Sequence, residues 1–165
     1  MDNMSKIIKT LEDLEKIYEN LLSLSEEKKN LIIEGKVKEL DKILQIENQL
    51  VMKISKLESE REDAITKLAQ ELNLPEENLT VSYVCNVVKD PRCTMLSKIT
   101  KRIGNILNKL KEVNEVNGKL IEQSLEYIRF SINLITDSLE THNGVYEAKA
   151  DEGKDKKASL FDAKV

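Results

Sequence analysis

The sequence predicts an all-α fold: an elongated antiparallel helical bundle or coiled coil of three long helices, with a short connector helix and a flexible C-terminal tail. Three observations predict it. Charged residues make up 34% of the 165-residue chain and aromatics 4%, with no Trp, while Leu, Ile, Lys and Glu dominate. That composition suits long amphipathic helices and fits a β-rich fold poorly. Apolar residues recur at spacings of three and four through most of the chain, which is the spacing of one helix face. Most of the five glycines and two prolines sit where these periodic runs end.

The first helix is expected over 3–33. Ile7, Leu11, Leu14, Tyr18, Leu21 and Leu24 form its stripe, and charged residues fill the opposite face. Gly35 stops it, because glycine takes the left-handed conformation that closes a helix C-terminus. The linking segment Glu34-Gly35-Lys36 is short, and a short connection makes the next helix an antiparallel neighbour.

The second helix is expected over 37–72. Val37, Leu40, Leu44, Val51, Ile54, Ile65, Leu68 and Leu72 return to one face, widened by Ile43, Leu50 and Leu57. Glu47 and Arg61 fall on the same stripe, either as buried polar register pins or as partly exposed seam residues with packed stems. The helix ends at Asn73-Leu74-Pro75, since proline disfavours helical backbone at the residue before it.

Residues 73–90 form the connector. Thr80 caps a short helix through Val81, Val84, Val87 and Val88, although the β-branched content also allows a strand. Asp90-Pro91 is a helix start, with Asp as N-cap and Pro at the first helical position. The third long helix then runs over 91–142, to a stop at Asn143-Gly144. At ~1.5 Å per residue it spans roughly 75 Å, against about 45 and 55 Å for the first two. A helix longer than its partners leaves apolar face uncovered unless something folds onto it. Gly104 and Gly118 lie inside it, either to permit close helix approach or as tolerated surface glycines, each costing about 1 kcal/mol relative to Ala. Residues 1–143 thus form the bundle domain and 144–165 the tail. The middle of the tail is a charged, small-residue run with little to bury, bracketed by Val145-Tyr146 and Leu160-Phe161.

The stretch from Asn114 to Ile135 carries the most information. Asn114 and Asn117 share one helix face. From Asn117 a small or polar residue recurs every seventh position: Ser124, Ser131, Ser138. Leu120, Tyr127 and Leu134 flank that line on one side, and Ile121, Ile128 and Ile135 on the other, with Leu125 and Ile132 beyond. A helix that only closes a two-helix seam needs a narrower stripe. This surface is wide enough for more than one partner helix, so it points to a binding protein.

Other classes find little support. The formal net charge is −4, with acids and bases interspersed, and no basic stripe with stacking aromatics suggests nucleic acid. No apolar run approaches the roughly 18 residues of a membrane span. The N-terminal stretch has acids in its first turns and no apolar core of a signal peptide, so a cytoplasmic location is expected. A single His (His142) cannot complete a Cys/His zinc site with Cys85 and Cys93. Both cysteines are expected as reduced thiols in the connector, a disulfide being the alternative. No catalytic triad, phosphate loop or paired Glu-x-x-His motif is present, so no enzyme activity, metal or cofactor is expected.

Three places in the chain resemble the FlgN family of flagellar export chaperones. The hairpin Leu31–Leu44 resembles the family's leucine-rich run broken by a Gly turn, with Lys36 where an Asp is common. Leu110, Asn114, Asn117, Leu120-Ile121, Ser124-Leu125 and Tyr127-Ile128 resemble its Leu, Asn-x-x-Asn, Leu-Ile, Ser-Leu helix. Tyr146-Glu147-Ala148-Lys149, a polar spacer and Ser159-Leu160-Phe161-Asp162 resemble its tail. The 76–93 connector matches only loosely. The resemblance implies a cytosolic chaperone that binds the C-terminal helical segments of hook–filament junction proteins and delivers them to the export gate.

The residues then expected to meet the partner are Asn114, Asn117, Leu120, Ile121, Leu125, Ile128, Ile132, Ile135, Tyr146, Leu160 and Phe161. The two Asn either orient the partner or make polar contacts to the first hairpin, fixing register. Two alternatives are a self-associating structural coiled coil, with the wide face buried in a stable homodimer, and a regulatory adaptor that binds an export-apparatus component; a weak homodimer is also compatible with the chaperone reading.

Overall fold

A computed structural model of the chain describes residues 2–73, 80–88 and 90–147, except the side chains of 81, 82 and 139–147. It contains α1 (Asn3–Ile33), α2 (Val37–Glu71), α3 (Val81–Val88) and α4 (Cys93–Glu147), and no strand among the described residues. The connector segment that allowed either a strand or a helix is therefore the helix α3. Residues Met1–Glu122 form one compact unit and Gln123–Val165 a second.

In the first unit several helix ends have a local chemical cause. Asp2 caps α1, its carboxylate accepting from the Ser5 backbone N–H at 2.8 Å. At the other end Gly35 adopts φ +65°. Its N–H donates to Ile32 O at 3.2 Å and that of Lys36 to Leu31 O at 3.0 Å. This paired closure needs a left-handed residue, which is why glycine stands there. Asn73 ends α2 in the same way, with φ 52° and its N–H on Gln70 O at 3.2 Å. The stop is thus made by Asn73 itself, ahead of Leu74-Pro75, which lie outside the described residues. Thr80 Oγ1 accepts from the Tyr83 N–H at 3.2 Å and caps α3, as expected.

Asp90 also caps as expected, accepting from the Arg92 N–H at 2.8 Å, although regular helix begins at Cys93. The far end of α4 differs more. Asn143-Gly144, expected as a stop, lies inside the helix, which continues to Glu147. A glycine within a helix costs only about 1 kcal/mol, and it terminates one only where backbone caps close around it.

The core of the first unit unites all four helices. Met4, Ile7, Ile8, Leu11 and Leu14 of α1 meet Ala64 and Leu68 of α2, Val84 of α3, and Leu96, Ile99 and Ile103 of α4. Leu14 and Ile99 are fully buried. The backbones of α1 and α2 run closest together. Along α1 and α4, Glu15 pairs with Arg102 and Ser25 with Asn117, so these two helices run parallel. A Cβ added at Gly104 or Gly118 would meet nothing within 4 Å, so neither glycine serves close packing. Cys85 and Cys93 are free thiols beside this core. Burial first, and then the neighbouring Cys93 thiol, push the Cys85 thiol up to about 12, so it stays un-ionised and a poor nucleophile at neutral pH.

Candidate partner-binding face of α4

Two different surfaces emerge from the stretch singled out in the sequence. The first lies in the unit Met1–Glu122 and is polar and internal. Asn117 is only 2% exposed, and its Nδ2 donates to the backbone oxygen of Ser25 in α1 at 2.8 Å. The Ser25 side chain is itself buried and its hydroxyl lies 3.4 Å from Glu47 Oε1 in α2. Lys28 Nζ binds both oxygens of that carboxylate, at 2.7 and 2.8 Å. Lys28 and Glu47 side chains are 13% and 14% exposed. A small polar layer therefore crosses the bundle where an apolar one would otherwise continue. Of the two places open to Asn117, it occupies the one against the first hairpin. Asn114, one turn earlier, is exposed.

Of the two polar residues on the α2 stripe, Glu47 is this mostly buried partner. Arg61 is a partly exposed seam residue, paired with Glu58 at 2.7 Å. Leu120 is half-buried and Ile121 exposed at the end of the same unit.

The second surface lies within Gln123–Ser138 and is apolar and open. Leu125, Ile128, Ile132 and Ile135 are all exposed, Ile128 by 51% and Ile135 by 60%. Their spacings of three, four and three place them in one row, the arrangement of a coiled-coil seam. Tyr127, Phe130 and Leu134 are exposed on the adjoining side. Between the two rows runs the line of serines. Ser131 Oγ donates to Tyr127 O at 2.9 Å and Ser138 Oγ to Ile135 O at 2.8 Å. Both hydroxyls are thus turned onto their own helix backbone, which leaves the line shallow and undemanding of polar partners. Glu126 and Arg129 are also exposed and by helix geometry lie away from the isoleucine row. Exposed apolar rows this long are uncommon on soluble monomers and mark places where another molecule binds.

Three expected site residues are not placed by these observations. Tyr146 lies in α4 but its side chain is outside the described residues, as are Leu160 and Phe161 altogether.

Two concavities among the described residues differ in character from that row. One concavity is lined by Glu12, Glu15, Lys16, Glu19 and Arg102, another by Glu26, Lys29, Asn30, Glu112, Val113 and Val116. The first is walled by charged side chains and the second by charged and polar ones with two valines, unlike the predominantly apolar pockets that hold small ligands. Among the described residues no group of three or more His, Cys, Asp or Glu is arranged to hold a metal ion, and no helix is long and apolar enough to cross a membrane.

Sequence reasoning missed one polar cluster. Arg92 grips Asp90 through Nε and Nη2, at 3.0 and 2.6 Å. Its Nη1 reaches both oxygens of Asp2, at 2.9 and 2.8 Å, and Ser5 Oγ at 2.9 Å. It thereby ties the start of α4 to the N-cap of α1. The Ser5 backbone bond first, and then Arg92, hold the Asp2 carboxyl down at about 2. The available signal was Asp2 directly before a periodic helix, but its pairing with a residue 90 positions away has no sequence signature.

The model of the family described as FlgN protein matches residues 1–153. The chain belongs to the FlgN family. FlgN proteins are flagellar export chaperones, and the exposed row of α4 lies within the matched region. The chain is also similar to a Bacillus subtilis (strain 168) protein described as uncharacterized protein YvyG. The two are 32% identical over 158 residues, which covers 96% of each chain. No solved structure matches this FlgN-family chain.

Proposed function

We propose that this chain is a cytosolic chaperone for hook–filament junction proteins. It binds their C-terminal helical segments, keeps them soluble and delivers them to the flagellar type III export gate. The observation that carries this reading is the exposed row Leu125, Ile128, Ile132 and Ile135. An amphipathic helix read at i, i+3, i+4 and i+7 fits such a row, and its own apolar face is an aggregation hazard until covered. Binding and release of this kind need no bond-breaking step by the chaperone. Ile121, Leu125, Ile128, Ile132 and Ile135 form the centre of the proposed contact, with exposed Asn114, half-buried Leu120, Tyr146, Leu160 and Phe161 around it. Asn117 contributes from inside the bundle, by holding α4 in register.

The test is a pull-down with the isolated C-terminal helices of the junction proteins. The wild-type chain should retain them and Ile128→Asp/Ile135→Asp should not. Retention by a double variant that is still helical would refute the site.

The same spacing also suits a second copy of the chain, which favours self-association as the rival reading. Sedimentation at micromolar concentration separates the two. A monomer that pairs one-to-one with a junction-protein helix supports the chaperone, and a stable dimer that excludes that helix supports the rival.

A further inference from the structure

We infer that the chain's own C-terminal segment, Leu160, Phe161 and Val165, occupies the apolar row of α4 when no partner is bound. The inference rests on the reading of that row as the partner site and adds its regulation: the segment is a built-in competitor that an arriving helix displaces.

Reach supports this occupant. The spacer from Ala148 to Ser159 joins the end of α4 at Glu147 to Leu160. Fully extended, these twelve residues span at most ~40–43 Å. Ile135 and Ile132 lie about 18 and 22 Å back along the helix from Glu147, and Leu125 about 33 Å. All three are within reach. As a flexible coil, the spacer has a typical end-to-end distance of roughly 17–21 Å, which coincides with the distance to Ile135 and Ile132. Effective concentration is highest where linker length matches the span, and reaches the millimolar range for short linkers.

The chemistry of the segment fits as well. Ser159-Leu160-Phe161-Asp162 has the spacing of a helix-capping box, with a carboxylate three residues after a serine. In a short helix begun there, Phe161 and Val165, four apart, would share one face, with Leu160 at its edge. On α4 the serine line between Ile128/Ile135 and Tyr127/Leu134 is shallow, and its Ser131 and Ser138 hydroxyls are satisfied within the helix. An aromatic ring can therefore lie over it without stranding a polar group. Two or three apolar side chains give a weak contact, suited to a competitor that must yield.

The experiment places a nitroxide label at Ala163→Cys in a Cys85→Ser/Cys93→Ser background and observes the methyl resonances of α4. The expected result is broadening of the Leu125, Ile128, Ile132 and Ile135 methyls that disappears in Leu160→Asp/Phe161→Asp. Absence of broadening, or broadening that survives that substitution, overturns the inference. So does broadening seen when label and isotope are on different copies, since a second molecule would then be the occupant.

Amide exchange gives a second measurement, with both cysteines kept. Amides from Leu125 to Ile135 should exchange about three- to tenfold faster in Leu160→Asp/Phe161→Asp than in the wild type, and equal rates would overturn the inference. Neither readout uses a partner. Broadening without junction-helix binding would therefore sink the proposed function and leave only the segment's occupancy of the row standing, and binding without broadening would overturn the inference and leave the proposed function intact.

Discussion

Asn117 of α4 donates its amide to the backbone oxygen of Ser25 in α1 at 2.8 Å, while its own Oδ1 finds no donor among the described residues. A buried amide that satisfies one function and strands another adds specificity at a cost in stability, as buried asparagines do in coiled coils. Asn117→Ala loses the hydrogen bond and opens a small void, and should lower unfolding stability by about 1–2 kcal/mol. Asn117→Leu fills the space without an orphaned oxygen and should be the more stable of the two. Urea unfolding followed by circular dichroism measures both, and an alanine variant more stable than the leucine one would contradict this account.

The Lys28–Glu47 pair should matter far more than the Arg61–Glu58 pair. The first is largely desolvated and the second about one-third exposed. Glu47→Ala leaves a mostly buried ammonium unpaired, so a loss of roughly 2–3 kcal/mol is expected, somewhat below the figure for a fully buried pair. Glu58→Ala should change stability by less than about 0.5 kcal/mol. The double replacement Lys28→Met/Glu47→Leu should recover most of the loss, because it removes both charges together.

Acid should loosen the junction of α1 and α4 in a defined window. Asp2 has its folded-state pKa lowered from 3.8 to about 2, so its charged form is the one the fold favours. Its contribution is fully present above pH 3.8 and is lost as pH falls through about 2. Asp90 is lowered too, chiefly by Arg92, and acts in the same direction. Exchange of the Ser5 and Arg92 amides should therefore rise, relative to the intrinsic rates, as pH falls from about 4 to 2. Asp2→Asn still caps the helix but carries no charge, so it should keep only the Asp90 part of the response.

Stability and partner binding should separate along α4. Ile99 is fully buried, and Ile99→Ala should cost about 2–5 kcal/mol. Ile128 and Ile135 are more than half exposed, so Ile128→Asp/Ile135→Asp should leave the urea midpoint of the bundle nearly unchanged while removing junction-helix binding. A large loss of stability in the double variant would mean that the row is packed in the free protein beyond what the tail segment supplies.

Most of the helical organisation could be read from periodicity, because apolar spacing and helix geometry are the same information. Both ends of α1 and the start of α2 fall at the expected residues, as does α3 with its Thr80 cap. Gly35 is a stop for a local reason, its φ of +65°, and local reasons are visible in sequence. Asn143-Gly144 also offers a glycine but lies inside the helix with no such closure, and composition does not distinguish the two. The polar layer was half legible. Asn117 and Glu47 stood out as polar residues on apolar stripes, but Ser25 and Lys28, which receive them, look like ordinary residues of α1. Their partners lie 92 and 19 positions away, and long-range pairing leaves no trace in a single sequence. The exposed row of α4 was legible as pattern, because width of apolar surface is a property of the helix alone.

The pairing of α1 with residues 87 and 92 positions away on α4 also sets an order of events during synthesis. The α1–α2 hairpin has all its residues once Glu71 has been added. Its remaining apolar side, with Leu14 at the centre, waits for Leu96, Ile99 and Ile103, and the register-setting Asn117 comes later still. At about 5–20 residues per second, the roughly 45 residues between Glu71 and Asn117 take some 2–9 seconds to make. For that interval the nascent chain presents a half-built core with two of its three long helices. Arg92, which emerges just ahead of α4's apolar face, is the first residue able to bring the late helix to the Asp2 end of the early one.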